Sequence, residues 1–106
     1  MPTYKVLAQS APSAATATTL YTATSATIVS TLNVSNIGGT QDTIRIAVRP
    51  AGASLANQHY IAYGVPLAAG AVFSIQGGLT LANTDVITVY STTGNSVFSA
   101  FGSEGN

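Results

Sequence analysis

At 106 residues the chain is one domain's length, enough to bury roughly 60 to 70% of the surface its unfolded form exposes. It has no cysteine, which excludes disulfides and thiolate metal sites, and three cations balanced by three anions exclude a phosphate-tracking basic stripe. Only 6% of residues are charged, against about 25% in an average soluble domain, and the net charge is zero; a surface of Thr, Ser, Asn, Gln and Ala is suited to being covered by copies of itself or by a partner.

Lys5 precedes only Val6-Leu7-Ala8, far short of the ~7–15 apolar residues of a signal-peptide core. Val65 to Phe73, among the longest apolar runs, contains Pro66 and Gly70 and falls well below the ~18 residues of a membrane span. Neither signal-directed export nor a membrane anchor is expected.

Short alternating runs of β-branched and aromatic residues predict eight strands and no helix: Tyr4–Gln9, Thr19–Thr22, Thr27–Ser35, Thr43–Arg49, His59–Val65, Ala71–Gln76, Asp85–Ser91 and Ser96–Phe101. Between the first two, residues 8–19 (AQSAPSAATATT) form a small-residue, low-complexity segment, read as a loop across a sandwich end or an extended arm. In the third run, alternation puts Ile28, Leu32 and Val34 on a core face and Thr27, Thr31, Asn33 and Ser35 on the other. The stretch Asn36-Ile-Gly-Gly-Thr-Gln-Asp42 then reads as a hairpin loop with Gly at positive-φ positions. In the fourth run Ile44, Ile46 and Val48 point inward, leaving Arg45, Ala47 and Arg49 on an outward face. In the fifth, His59, Ile61 and Tyr63 share a face opposite Tyr60 and Ala62; His59 is placed at the strand's mouth, with Ile61 and Tyr63 inward. Pro50-Ala-Gly52, Val65-Pro66, Gly77-Gly78 and Thr93-Gly-Asn95 supply further turns. The fold class is a single all-β antiparallel sandwich spanning residues 1–106, with jelly-roll and immunoglobulin-like topologies both open.

A weak internal echo, Ser54-Leu-Ala-Asn57 before Tyr63 and Thr80-Leu-Ala-Asn83 before Tyr90, reads as one turn-and-strand unit used twice, with Leu packed under the turn. The second copy lacks His and Arg, so the unit itself requires neither.

Chemistry finds little to work with. His59 is the only conventional base, the acids Asp42, Asp85 and Glu104 are scattered, and no Gly-x-Ser-x-Gly elbow is present, so the reading is not an enzyme. One histidine and three separated acids offer no metal site, and Gly38-Gly39 and Gly77-Gly78 lack the lysine of a phosphate loop; no cofactor is expected. Asn33-Val-Ser35 matches a glycosylation sequon but lies mid-strand. The remaining concentration of unusual side chains is Arg45 and Arg49, side by side, with His59 and Tyr60 at their edge. That cluster is the candidate contact to a partner's carboxylates or carbonyls.

Three stretches, RIAVRPAGASLANQHYIAY (45–63), GLTLANTDVITVY (78–90) and FSAFGSE (98–104), together resemble small virion structural proteins of tailed bacteriophages, especially those infecting cyanobacteria and other aquatic bacteria. The resemblance runs from about Tyr4 to Glu104, and departs from the pattern at Tyr21-Thr-Ala-Thr-Ser25, where members often carry Val-Pro-Ala-Gly. It implies a non-enzymatic virion component. With the composition, it leads to the expectation of a capsid decoration or cement protein, a homotrimer seated on the major capsid protein lattice, with no nucleic-acid or membrane partner. The alternative is a tail-fibre or other tail-associated module that binds a host glycan through Asn57, Gln58 and Tyr60.

Overall fold

A computed structural model describes residues 3–76 and 78–105. They form nine strands: β1 (Thr3–Ser10), β2 (Thr18–Thr22), β3 (Thr27–Asn36), β4 (Asp42–Arg49), β5 (Tyr60–Leu67), β6 (Val72–Ile75), β7 (Leu79–Leu81), β8 (Val86–Ser91) and β9 (Ser96–Glu104). The only helical pieces among them are single 3-10 turns at Pro50–Gly52 and Asn57–His59. Three-residue β7, unanticipated in the sequence, takes in Thr80 and Leu81, the first half of what reads there as a turn.

All pairings are antiparallel, in two sheets of order β1-β9-β3-β6 and β2-β8-β4-β5, with β7 lying on β3 beside β6. The pairs β4·β5, β3·β6, β2·β8 and β1·β9 are the rungs of one long ribbon folded back on itself at the β4–β5 connection. Wrapping that ribbon brings β9 against β3 and β8 against β4, which is jelly-roll topology. The Cα radius of gyration, 13.2 Å, matches the ~13 Å of one folded unit this long.

Between the sheets lie Leu32, Val34, Phe98 and Ala100 from one side and Ile44, Ile46, Ile87 and Val89 from the other, all without solvent exposure. Each of the large ones stabilises the fold by roughly 1.5–3 kcal/mol. Strand alternation puts them there, and bulges decide where it breaks. In β3 the register shifts between Val29 and Thr31, so Val29 is buried while Ile28, expected in the core, is 45% exposed; Thr27, expected on the wet face, is buried and donates its hydroxyl to Ser25 C=O. Gly102 on β9 faces this bulge, and a Cβ there would lie 2.0 Å from Ile28 O.

The Asn36–Asp42 stretch also differs from expectation. It joins β3 in one sheet to β4 in the other, so it is a crossing rather than a hairpin, and neither Gly38 nor Gly39 has positive φ. Buried Asn36 donates to Thr40 C=O (2.8 Å) and Leu67 C=O (3.0 Å) and accepts from Gly38 N–H. Of residues 8–19, the first three complete β1 and the last two open β2. The loop between has Pro12 buried and is tied to β8 by Ala15 N–H donating to Ser91 C=O. The echoed turns part company too: Leu55 is 37% exposed, whereas Leu81 is in the core.

Candidate functional site

The unusual side chains gather on the outward face of the β2-β8-β4-β5 sheet. Partners directly across a ladder share a face, so Tyr90–Arg45–Tyr63 forms one row and Thr88–Ala47–Tyr60 the next. Tyr63 reaches this face because β5 carries two extra residues relative to β4, Ile61 and Gly64, the latter at φ +68°. The expectation that Ile61 and Tyr63 point inward is therefore wrong: Tyr63 is 61% and Ile61 45% exposed, and Ala62 takes the core position. Gly64 inside the strand pattern was the signal for it.

Arg45 lies between two rings, its guanidinium carbon 4.5 Å from the Tyr63 centroid and 4.3 Å from that of Tyr90. Its Nε is buried with no hydrogen-bond partner. Arg49, two residues beyond buried Ala47, donates from Nε to Thr88 Oγ1 (3.0 Å) and from Nη1 to Ala53 C=O (3.0 Å). The two arginines thus share an outward face as expected, but only Arg49 is satisfied by the chain itself.

His59 is almost entirely buried in the 3-10 turn before β5, where Nδ1 accepts the Ala56 N–H at 3.0 Å. That bond closes the turn and gives the histidine a structural task. Half-buried Tyr60 meets Tyr63 edge-on, centroids 4.8 Å apart and planes at 84°. Beside them opens a cleft of about 480 Å³ lined by Asn57, Tyr60 and Tyr63. A second depression, about 320 Å³ and lined by residues of β1 and β9 such as Gln9, Val97 and Ser99, contains no titratable side chain.

The acids are engaged elsewhere. Buried Asp42 accepts from Ser91 Oγ at 2.5 Å, from Ser96 Oγ, and from the Thr43 and Thr93 N–H groups at 2.8 and 3.0 Å. Burial opposes its charge, but these donors outweigh burial and hold its pKa at about 2. Asp85 accepts the Ala51 and Ala82 N–H groups, which lower its pKa. Glu104 binds Lys5 at 2.5 Å and accepts from the Tyr21 hydroxyl at 2.6 Å, and Lys5 in particular lowers its pKa. No cluster of three His, Cys, Asp or Glu residues occurs among the described residues.

The other sheet presents the opposite kind of surface. Its outward rows include Tyr4–Ser103–Ile28, Val6–Phe101–Thr31 and Gln9–Ser99–Asn33–Ser74, and no charged side chain among the described residues lies in them. Tyr4, Val6, Ile28 and Phe101 are 81, 50, 45 and 36% exposed. Comparison with protein-family models, curated proteins and solved structures finds no match.

Proposed function

We propose that the chain is a non-enzymatic structural protein of a bacteriophage particle, a decoration or cement protein that assembles as a homo-oligomer, a trimer, on the major capsid protein lattice. The observation that carries the reading is the uncharged outer face of the β1-β9-β3-β6 sheet, where Tyr4, Val6, Ile28 and Phe101 stand open to solvent. Depletion of charge with aromatic and aliphatic enrichment characterises the centre of a protein interface. A neutral chain with such a face associates readily. The resemblance of the three sequence stretches supplies the virion; jelly rolls serve capsid and lectin domains alike, so the fold is compatible with it and does not fix it.

Contacts of this kind are barely weakened by salt, whereas exposed ion pairs are screened. Particles washed in molar salt should therefore retain the protein and release it in urea. Release by salt alone, with nothing further in urea, would refute the reading. A second reading, a tail-associated module that binds a host-surface glycan, draws support from the tyrosine-lined cleft beside Asn57. Copy number separates the two: hundreds per particle fit a capsid, a few tens or fewer a tail.

A further inference from the structure

We infer that Arg45, with the cleft beside Tyr63, forms a site for an acidic saccharide, a sugar that carries a carboxylate. The inference rests on the glycan-binding reading of that cleft and names the ligand class. Its first support is an unmatched charge. Lys5 is paired with Glu104 and Arg49 is bonded to Thr88 and Ala53, but Arg45 has no ion pair or hydrogen bond among the described residues. All three acids are committed elsewhere. Nε is buried without a partner, and the Nη atoms bond no group among the described residues, so a planar carboxylate presented to them forms paired, charge-assisted hydrogen bonds.

The second support is preorganisation. Tyr63 and Tyr90, from the strands on either side, hold the guanidinium carbon within 4.5 Å of both ring centroids, so the group is fixed between two rings. Little side-chain freedom is left to lose on binding.

The third support is what adjoins it. Tyr63 is shared between the arginine stack and the cleft, whose other walls are Tyr60 and Asn57. At about 480 Å³ the cleft lies within the ~300–1,000 Å³ range of small-ligand sites. Half-buried Tyr60 and exposed Tyr63 offer aromatic surface to the C–H groups of a pyranose, and the Asn57 amide offers a donor and an acceptor to its hydroxyls. A carboxylate on a partner protein would use the arginine alone, whereas a uronic or sialic acid uses every part of this arrangement.

The test titrates the full chain with tri-galacturonic acid and 3′-sialyllactose, each against its neutral counterpart, galactotriose and lactose, by ligand-observed NMR. At least one acidic sugar should bind about tenfold more tightly than its counterpart. Arg45→Gln should remove that difference while leaving neutral binding within about twofold, and Tyr60→Ala should weaken both members of the pair. Arg45→Lys, which retains charge but loses the planar fork, should recover only part of the preference and guards against a Gln variant that misfolds. Equal binding of acidic and neutral sugars overturns the carboxylate inference and leaves the glycan reading standing. Absence of binding up to about 10 mM for all four sugars overturns both. Acetate or a glutamate-rich peptide binding as tightly as the acidic sugars makes Arg45 a docking point for protein carboxylates and overturns the saccharide assignment.

Discussion

The two outer faces of the sandwich are built by the same rule and carry opposite chemistry. On the β1-β9-β3-β6 face, Tyr4, Val6, Ile28 and Phe101 stand exposed with no charge among them; on the β2-β8-β4-β5 face, Arg45 and Arg49 share the rows with Tyr60, Tyr63, Tyr90 and Thr88. A chain with so few charges has put two of its three cations on one face and none on the other. The contrast separates a surface suited to being covered over a broad area from one suited to a small, directional contact.

The contrast can be broken most severely at Gly102, beneath the bulge that turns Ile28 outward. Gly102→Ala places a methyl against Ile28 O, so β9 and β3 must separate; a loss of at least about 3 kcal/mol in urea unfolding is expected. A variant of wild-type stability would mean that the close approach is not maintained. The join between the sheets is next. Asp42→Asn sets an amide N–H₂ against donors in a buried site and should cost about 2–3 kcal/mol by the same measurement.

The wild-type carboxylate also gives a pH signature. Its folded pKa of about 2 lies below the ordinary 3.8, so its contribution is complete above about pH 5 and is lost as pH falls through 4 towards 2. Urea titrations across that window should lose about 2 kcal/mol that Asp42→Asn does not lose.

Smaller changes sharpen the difference between the faces. Val6→Glu puts a charge on the uncharged face and should reduce incorporation into particles at least about tenfold, with monomer stability within about 0.5 kcal/mol of wild type. Arg45→Ala should cost about 0.5–1 kcal/mol through lost stacking and leave incorporation unchanged. The stability effects of these two substitutions should add, because they lie on opposite sheets. Incorporation lost equally with Arg45→Ala would move the assembly contact to the arginine face.

Eight of the nine strands were legible because alternation and turn residues are local signals. The side-chain facings that failed within strands did so at bulges. Whether Ile28 or Val29 enters the core depends on an extra residue opposite β9, and whether Tyr63 faces out depends on Ile61 and Gly64 being unmatched in β4. Those are properties of a pair of strands, and parity counted along a single strand misses them. Gly64 and Gly102 were the visible clues. The shared outward face of Arg45 and Arg49 is legible because their strand alternates cleanly against β8, whereas nothing local to Tyr90 announces that its ring lies against Arg45. Asn36 and Asp42 resemble turn residues in sequence, yet Asp42's hydroxyl partners come from β8 and β9, which no local pattern announces.

Those partners lie 49 and 54 positions further along the chain. Asp42 flanks Ile44 and Ile46 in the core, and apart from the adjacent Thr43 N–H its donors all come from the β8–β9 hairpin. Without Ser91, Thr93 and Ser96 in place, the carboxylate at the margin of that apolar surface would keep a single N–H donor, and sealing the sandwich over it would be costly. The β8–β9 hairpin is thus a latch: it carries the donors that let the Asp42 end of the sandwich shut.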